Sequence, residues 1–336
     1  MTVYILVFAG ALVLAIGGTP LARCLAPRLG VIDQPSARKV HQRPVPRLGG
    51  MAIYLAVLVA AVVLGRRYNF AQFGSIIVGA TGISLLGLVD DRWGLSPLVK
   101  MLGQTLAALL LYATGIYVGL FRHPVLDLLI TVLWVGYITN GINLLDNMDG
   151  LAGGVSAIAA AYFALMCAFS GQYLVGALAV AVMGACLGFL FYNLNPASIF
   201  MGDSGALFLG FVLAAIGIKL RFPDNVTFVT WMVPVLVMGV PILDSALVIV
   251  SRLRRRLNPF TTPGKDHVSH RLVAAGMTPR EAVLTLYVAA FIFGLLALFV
   301  TRASIMEGYI TGGLTALAGL YGLWRLEHPP FWTPDH

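Results

Sequence analysis

Two adjacent carboxylates, Asp90 and Asp91, sit in GLVDDRWGLSPLVKMLGQ a short distance before Lys100. Neighbouring carboxylates repel unless a proton or a cation intervenes, so such a pair suits magnesium binding or acid–base work, and equally a solvated helix end. A second stretch, NLLDNMDGLAGG, spaces Asn143, Asp146 and Asp149 three residues apart. A helix running through all three would align them on one face, although Gly150 also suits an ordinary helix stop. In YNLNPASIFMGDSGALFLGF, Asn193 and Pro196 precede Asp203. That carboxylate fits either a helix N-cap or a ligand for a hard cation. The fourth segment, SRLRRRLNPFTTPGKDHVSHRL, is dense in donors, with Lys265, Asp266, His267, His270 and Arg271 following four arginines. Its arginines suit anionic headgroups, and its two histidines are spaced to share a helix face as metal ligands. Magnesium takes one or two carboxylates and completes its shell with water and phosphate oxygens, leaving Lys, Arg and His to bind the remaining phosphate charge. Together the four segments read as a diphosphate site.

The elements that must carry these residues are membrane helices. The 336 residues are 59% hydrophobic and 11% charged, with a mean hydropathy of +0.89, whereas a soluble domain is about 25% charged. Apolar runs able to cross a hydrocarbon core about 30 Å thick fall near 3–21, 49–65, 71–89, 98–120, 125–143, 152–169, 173–192, 204–219, 227–250, 283–301 and 308–324. The expected fold is all-α, a polytopic membrane protein of eleven transmembrane helices forming one domain over 1–336. The first run has no basic residue before it and reads as an uncleaved helix. Alternating the loops places 16 of the 22 Lys and Arg on the face carrying Arg38, Lys39 and Arg252. The positive-inside bias makes that face cytoplasmic, with the N-terminus outside and the C-terminus inside. Eleven of the 14 acids fall on the same face, including those of all four segments. A diphosphate site at a membrane surface suits a substrate that is itself a lipid. The net charge of +8 needs no nucleic acid to explain it. Cys24, Cys167 and Cys186 have neither disulfide nor zinc spacing and read as packing residues. Asp244 lies deeper, in the ninth run, and suits either support for the site or pairing with an arginine. An ion-coupled secondary transporter is the rival class, but it calls for acids near the bilayer midplane, and here they gather at one face.

The motifs KVHQRPVPRLGG, LVDDRWGLSPLVKMLGQ, NLLDNMDGLAGG, NPASIFMGDSGALFLGF and NPFTTPGKDHVSHRL occur in that order within residues 30–285. In that arrangement the chain resembles the polyprenyl-phosphate N-acetylhexosamine-1-phosphate transferases, and within them the undecaprenyl-phosphate GlcNAc-1-phosphate transferase branch. The resemblance implies transfer of a sugar 1-phosphate from a UDP-N-acetyl sugar to undecaprenyl phosphate with release of UMP, the first step of a cell-surface polysaccharide. Phospho-MurNAc-pentapeptide or another UDP-N-acetyl sugar is the alternative donor. It also implies Mg2+ as cofactor with Mn2+ as a substitute, a bacterial inner membrane with the site on its cytoplasmic face, surrounding lipid, no nucleic acid, and a homodimer as a compatible assembly. Carried over by motif position, Asn143 and Asp203 hold the metal, and Asp90, Asp91, Asp149 and Asp203 are the catalytic acids. Asp90 is the base or positioning group for the lipid phosphate. The substrate-binding set is Lys39, His41, Lys100, Asp146, Asn193, His267, His270 and Arg271, the last three from a cytoplasmic loop over 252–282. One departure stands out: the family commonly carries a histidine where this chain has Ser269. A hydroxyl donates a hydrogen bond but carries no positive charge, which bears on the identity of the sugar.

Overall fold

The structure is a computed structural model that describes residues 2–34, 44–64, 70–259, 262 and 264–331. Lys39 and His41 lie outside the described residues. The chain divides into two compact units, Met1–Arg221 and Phe222–His336.

The first unit contains α1 (Thr2–Leu29), α2 (Gly49–Leu64), α3 (Phe70–Trp93), α4 (Pro97–Ala113), α5 (Pro124–Leu145), α6 (Leu151–Phe169), α7 (Tyr173–Asn193) and α8 (Asp203–Lys219). A two-residue antiparallel pair, β1 (Ile32–Asp33) and β2 (Val45–Pro46), precedes α2. Helix α8 is buried at every position from Asp203 to Ile218. A helix apolar on all sides belongs in an interior, and α2, α3 and α5 pack around it. Their approach is set by glycine. A Cβ on Gly50 of α2 would lie 2.2 Å from the Gly205 nitrogen of α8, one on Gly87 of α3 would lie 2.4 Å from the Asp203 carbonyl oxygen, and one on Gly210 would lie 2.6 Å from Thr139 Cα of α5. Where lipid removes the hydrophobic drive between helices, small residues that admit close backbone contact supply the packing. Gln104 of α4 and Asn140 of α5 exchange two amide hydrogen bonds of 3.2 and 2.6 Å, so neither polar group is left unmet in an apolar layer.

In the second unit the expected ninth run is broken into α9 (Thr227–Thr230), α10 (Met232–Val237) and α11 (Gly239–Arg254), with a bend of 73° before α11. Pro241 has no N–H to bond the Val237 carbonyl, and Gly239 lies between them. After α12 (Val268–Ala274), α13 (Pro279–Val300) and α14 (Ile305–Leu326) each begin at a capping box, Thr278 with Glu281 and Ser304 with Glu307.

Among the described residues six helices are long and apolar enough to cross a membrane, α1, α3, α5, α6, α7 and α13, or seven if the bent α9–α11 stretch counts as one span. Helices α2, α4 and α8 are shorter. The chain is a helical membrane protein in which the expected apolar runs overlap helices, the fourth only as far as Ala113 and the ninth as a broken stretch.

The glycine contacts set a stability test. Gly50→Ala drives a methyl into the α8 backbone and should cost about 1–3 kcal/mol as overpacking. Gly17→Ala, where a Cβ would meet nothing within 4 Å, should leave the melting temperature in detergent essentially unchanged.

Candidate active site

The turn between α3 and α4 places the first carboxylate. Gly94 adopts φ +68 and its N–H donates to the Asp90 carbonyl, so the chain turns out of α3. Ser96 then N-caps α4 by accepting from Val99 N, with Pro97 at the first helical position. The Asp90 side chain closes the turn, its Oδ1 accepting from Leu95 N at 2.6 Å. This brings Lys100, in the first turn of α4, against Asp90: its Nζ donates to Asp90 Oδ2 at 2.7 Å and to Asp203 Oδ2 at 3.2 Å.

Asp203 is the first residue of α8. The N-cap is Gly202, at φ +74 and without a capping side chain. The capping group comes from α3: Asp91 Oδ1 accepts from Asp203 N at 2.9 Å and Asp91 Oδ2 from Ser204 N at 3.0 Å. Two donors that every helix N-terminus leaves open are thereby met by an anion, in the position the helix dipole favours. A Cβ on Gly202 would sit 2.6 Å from Asp91 Oδ2, so only glycine admits this cap. The Asp91 side chain is fully buried, which turns it away from any ligand. Arg47, absent from the residues expected above although it lies inside KVHQRPVPRLGG, forms an ion pair from Nε to Asp91 Oδ1 at 3.1 Å and donates from Nη2 to Asp203 Oδ1 at 2.9 Å. The signal available was an arginine separated by one residue from a pair of glycines, of which Gly50 lets helices touch.

Helix α5 stops at Leu145, and Asp146 is its C-cap. Asn143, Asp146 and Asp149 therefore do not share one helical face, because the helix ends before the second of them. Gly150, at φ +80, is not the stop of α5 but the residue leading into α6. The irregular stretch is held by two of the expected site residues. Asp149 Oδ2 accepts from Asn195 Nδ2 at 3.0 Å and Ala197 N at 2.9 Å. Asn193 accepts from Gly150 N and donates to the Ile199 carbonyl, both at 3.0 Å. Asp149 and Asn193 thus tie the segment after α5 to the segment before α8. Asp146 reaches the cluster itself: its carboxyl accepts from the Gly202 backbone. Burial pushes its pKa well above the usual carboxylate range, Asp203 and Asp91 push the same way, and Arg47 opposes them.

The first unit so gathers Asp90, Asp91, Asp146 and Asp203 around Lys100 and Arg47. Among the described residues no group of three or more His, Cys, Asp or Glu is arranged as a cage for a metal. A hard cation that takes one or two carboxylates and completes its shell with water and phosphate does not need one. Asp203 retains lone pairs beside those facing Arg47 and Lys100, and the half-buried Asn143 amide, one turn before the α5 C-cap, makes no side-chain hydrogen bond among the described residues. The donor set fits such a cation.

The second unit holds a separate constellation. His267, the N-cap residue of α12, donates from Nδ1 to Asp244 Oδ2 at 2.8 Å, and Asp244 Oδ1 accepts from Val268 N at 2.8 Å. The partner of the buried Asp244 is thus a histidine and not an arginine. Its hold on Nδ1 fixes the ring and leaves Nε2 for another group. The His270 ring lies 6.0 Å from that of His267, centroid to centroid. Burial, then His267 and Lys265, lower His270 to a pKa of about 4 against the opposing pull of Asp244 and Asp266. At neutral pH it offers an uncharged imidazole. Arg271 is 1% exposed: it pairs with Glu327 at 2.6 Å and donates to the Leu326 and Asp266 carbonyls and the Ser251 hydroxyl. Its guanidinium is engaged inside the unit. Asp266 is bracketed by Arg252 and Arg255, which outweigh its burial and hold it below the usual carboxylate range. Ser269 is fully buried, so the residue that departs from the family pattern faces the interior.

A family model described as glycosyl transferase family 4 matches residues 73–221, a segment that ends where the first compact unit ends. The chain is similar to a probable undecaprenyl-phosphate N-acetylglucosaminyl 1-phosphate transferase of Bacillus subtilis (strain 168), with 40% identity over 296 residues, 85% of this chain and 82% of the relative. It is similar to a decaprenyl-phosphate N-acetylglucosaminephosphotransferase of Mycobacterium leprae, with 36% identity covering 80% of this chain and 76% of the relative. A phospho-N-acetylmuramoyl-pentapeptide-transferase of Bacillus cytotoxicus is 28% identical, covering 78% of this chain and 86% of the relative.

Two measurements check this geometry. Asp91→Ala strips two backbone donors of α8 of their acceptor and Arg47 of an ion-pair partner, and should lower stability by about 1–3 kcal/mol for each buried donor left unmet, read as a fall in melting temperature. For His270, the folded state resists a proton that the unfolded state accepts near pH 6.5. Its contribution is present above pH 6.5 and is lost as the pH falls toward 4. His270→Gln should therefore flatten the decline of the melting temperature between pH 6.5 and 4.5.

Proposed function

Because the chain belongs to glycosyl transferase family 4, we propose that it transfers GlcNAc 1-phosphate from UDP-GlcNAc to a polyprenyl phosphate, undecaprenyl phosphate in the first instance. The observation that carries this reading is the Asp90–Lys100–Asp203–Arg47 cluster, because joining a phosphate monoester to a diphosphate sets two anions against each other and calls for fixed charges around them. The greater identity to relatives named for N-acetylglucosamine than to the one named for the muramoyl pentapeptide supports GlcNAc as the sugar. The buried Ser269 leaves that choice undisturbed.

In the reaction an oxygen of the lipid phosphate forms a bond to the β-phosphorus of the donor as the bond to the α-phosphate oxygen breaks, giving polyprenyl diphosphate GlcNAc and UMP. The second ionisation of a phosphate monoester lies near pH 6. Asp90 therefore acts chiefly to orient the attacking phosphate and to take its last proton when one remains. Lys100, already between Asp90 and Asp203, donates to the charge shared by the two substrates. Asp203 and Asn143 would hold a divalent cation, Mg2+ or Mn2+, which when bound neutralises the donor diphosphate and the departing UMP. Asp149 and Asn193 keep the segments on either side in register, and His267 and His270 offer ring nitrogens to phosphate or sugar oxygens. Eleven spans in a bacterial inner membrane, with the N-terminus outside and the cluster on the cytoplasmic side, suit a nucleotide-sugar donor and a lipid acceptor.

Purified protein supplied with Mg2+, undecaprenyl phosphate and UDP-GlcNAc should release UMP and form a lipid-linked sugar diphosphate, and UDP-MurNAc-pentapeptide should not replace the donor. Asp203→Ala and Asp90→Asn should each reduce turnover at least ~100-fold, the range in which a misplaced or missing catalytic group is felt. Near-normal turnover in both would remove the assignment.

A further inference from the structure

Arg47 reaches the cluster from outside the segment that the family model matches, and the backbone around it is built to deliver it. Phe200 N donates to the Pro46 carbonyl at 2.8 Å, Gly49 N to the Phe200 carbonyl at 3.0 Å, and Gly50 N to the Met201 carbonyl at 2.8 Å. Residues 46–50 are thereby laced to residues 200–201, immediately before the Gly202–Asp203 step. The one guanidinium then spans two carboxylates from different helices: Nε meets Asp91 of α3, and Nη2 meets Asp203 of α8. Asp91 in turn holds the first two N–H groups of α8. The Asp203 side chain has Arg47 on one oxygen and Lys100 on the other, and its own backbone N–H is held by Asp91.

We propose that Arg47 and Asp91 form a positioning pair that fixes the orientation of Asp203, so that Asp91 acts through the α8 N-terminus and not as a catalytic acid. The inference rests on the reading of Asp203 as a site residue in phosphosugar transfer. A guanidinium presents separate, rigidly spaced nitrogens to Asp91 and Asp203; an ammonium in its place carries the charge on a single nitrogen and not that fixed spacing. The fully buried Asp91 side chain has no room for substrate. With Arg47 gone, one oxygen of Asp203 loses its guanidinium while Lys100 and Asp90 hold the side chain from the other direction, and its carboxylate swings away from the productive orientation. The removal of a positive charge next to Asp203 also raises the pull of the site on a dication.

The test compares wild type, Arg47→Met and Arg47→Lys in the UMP-release assay, together with Mn2+ binding read by electron paramagnetic resonance without substrates. Misplacement of a reacting group by about 1 Å costs roughly 100-fold. Arg47→Met should accordingly lose roughly that much kcat, with KM for donor and acceptor within about threefold of wild type, and it should bind Mn2+ as tightly as wild type or tighter. Arg47→Lys should recover less than about a tenth of wild-type kcat, and added guanidinium should raise the rate of Arg47→Met but not of wild type. Four outcomes overturn the proposal: a full-rate Arg47→Lys enzyme, a raised donor KM at unchanged kcat, weakened Mn2+ binding in Arg47→Met, or no guanidinium rescue. If Arg47→Met does not fold, Arg47→Lys decides by its kcat and Mn2+ affinity alone. Wild type that releases no UMP would instead defeat the transferase reading, leaving an outcome distinct from failure of the pair.

Discussion

Carboxylates drawn together near a membrane repel one another and lose hydration, and everything in the first unit follows from how that cost is offset. Lys100 and Arg47 sit between the acids, each touching two of them. Asp91 finds the positive end of a helix. The surrounding helices must hold the cluster against its own repulsion.

The helices do so with their ends and their glycines. Asp90 closes the turn from α3 to α4, so the side chain that pairs with Lys100 also sets the position of that lysine. Gly50, Gly87 and Gly205 let α2 and α3 reach the α8 backbone, and that closeness is what permits Asp91 to cap a helix in which it does not reside. The second unit solves the same electrostatic problem by pairing outright: Arg271 with Glu327, Asp266 with two arginines, and Asp244 with His267. Its ions are largely neutralised within the unit, and one imidazole nitrogen of His267 is left for external use.

Much of this was legible from residue order alone. A mean hydropathy of +0.89 with regularly spaced apolar runs permits little besides membrane helices, because only an internally hydrogen-bonded backbone survives in lipid. The scarcity of acids made their clustering in four segments informative, and Asp90, Lys100 and Asp203 are brought together in the structure. Spacing misled where a helix ended early: the three-residue interval from Asn143 to Asp149 implies one face only if α5 continues, and it stops at Leu145. Likewise Asp203 has the residue type of an N-cap, yet Gly202 occupies that place and the cap arrives from α3.

Residue order thus settled the solvent of this chain, the helical segments within it and the families of charge from which a diphosphate site could be made, since these depend on local composition and period. The fold settled which carboxylate pairs with Lys100 and which caps a neighbouring helix. Asp90 and Asp91 are chemically identical and adjacent, but successive residues on a helix point about 100° apart; one meets Lys100 while the other meets the N-terminus of α8. The partnership of Arg47 with Asp203, 156 residues away, depended on three glycine-mediated approaches that no local pattern encodes.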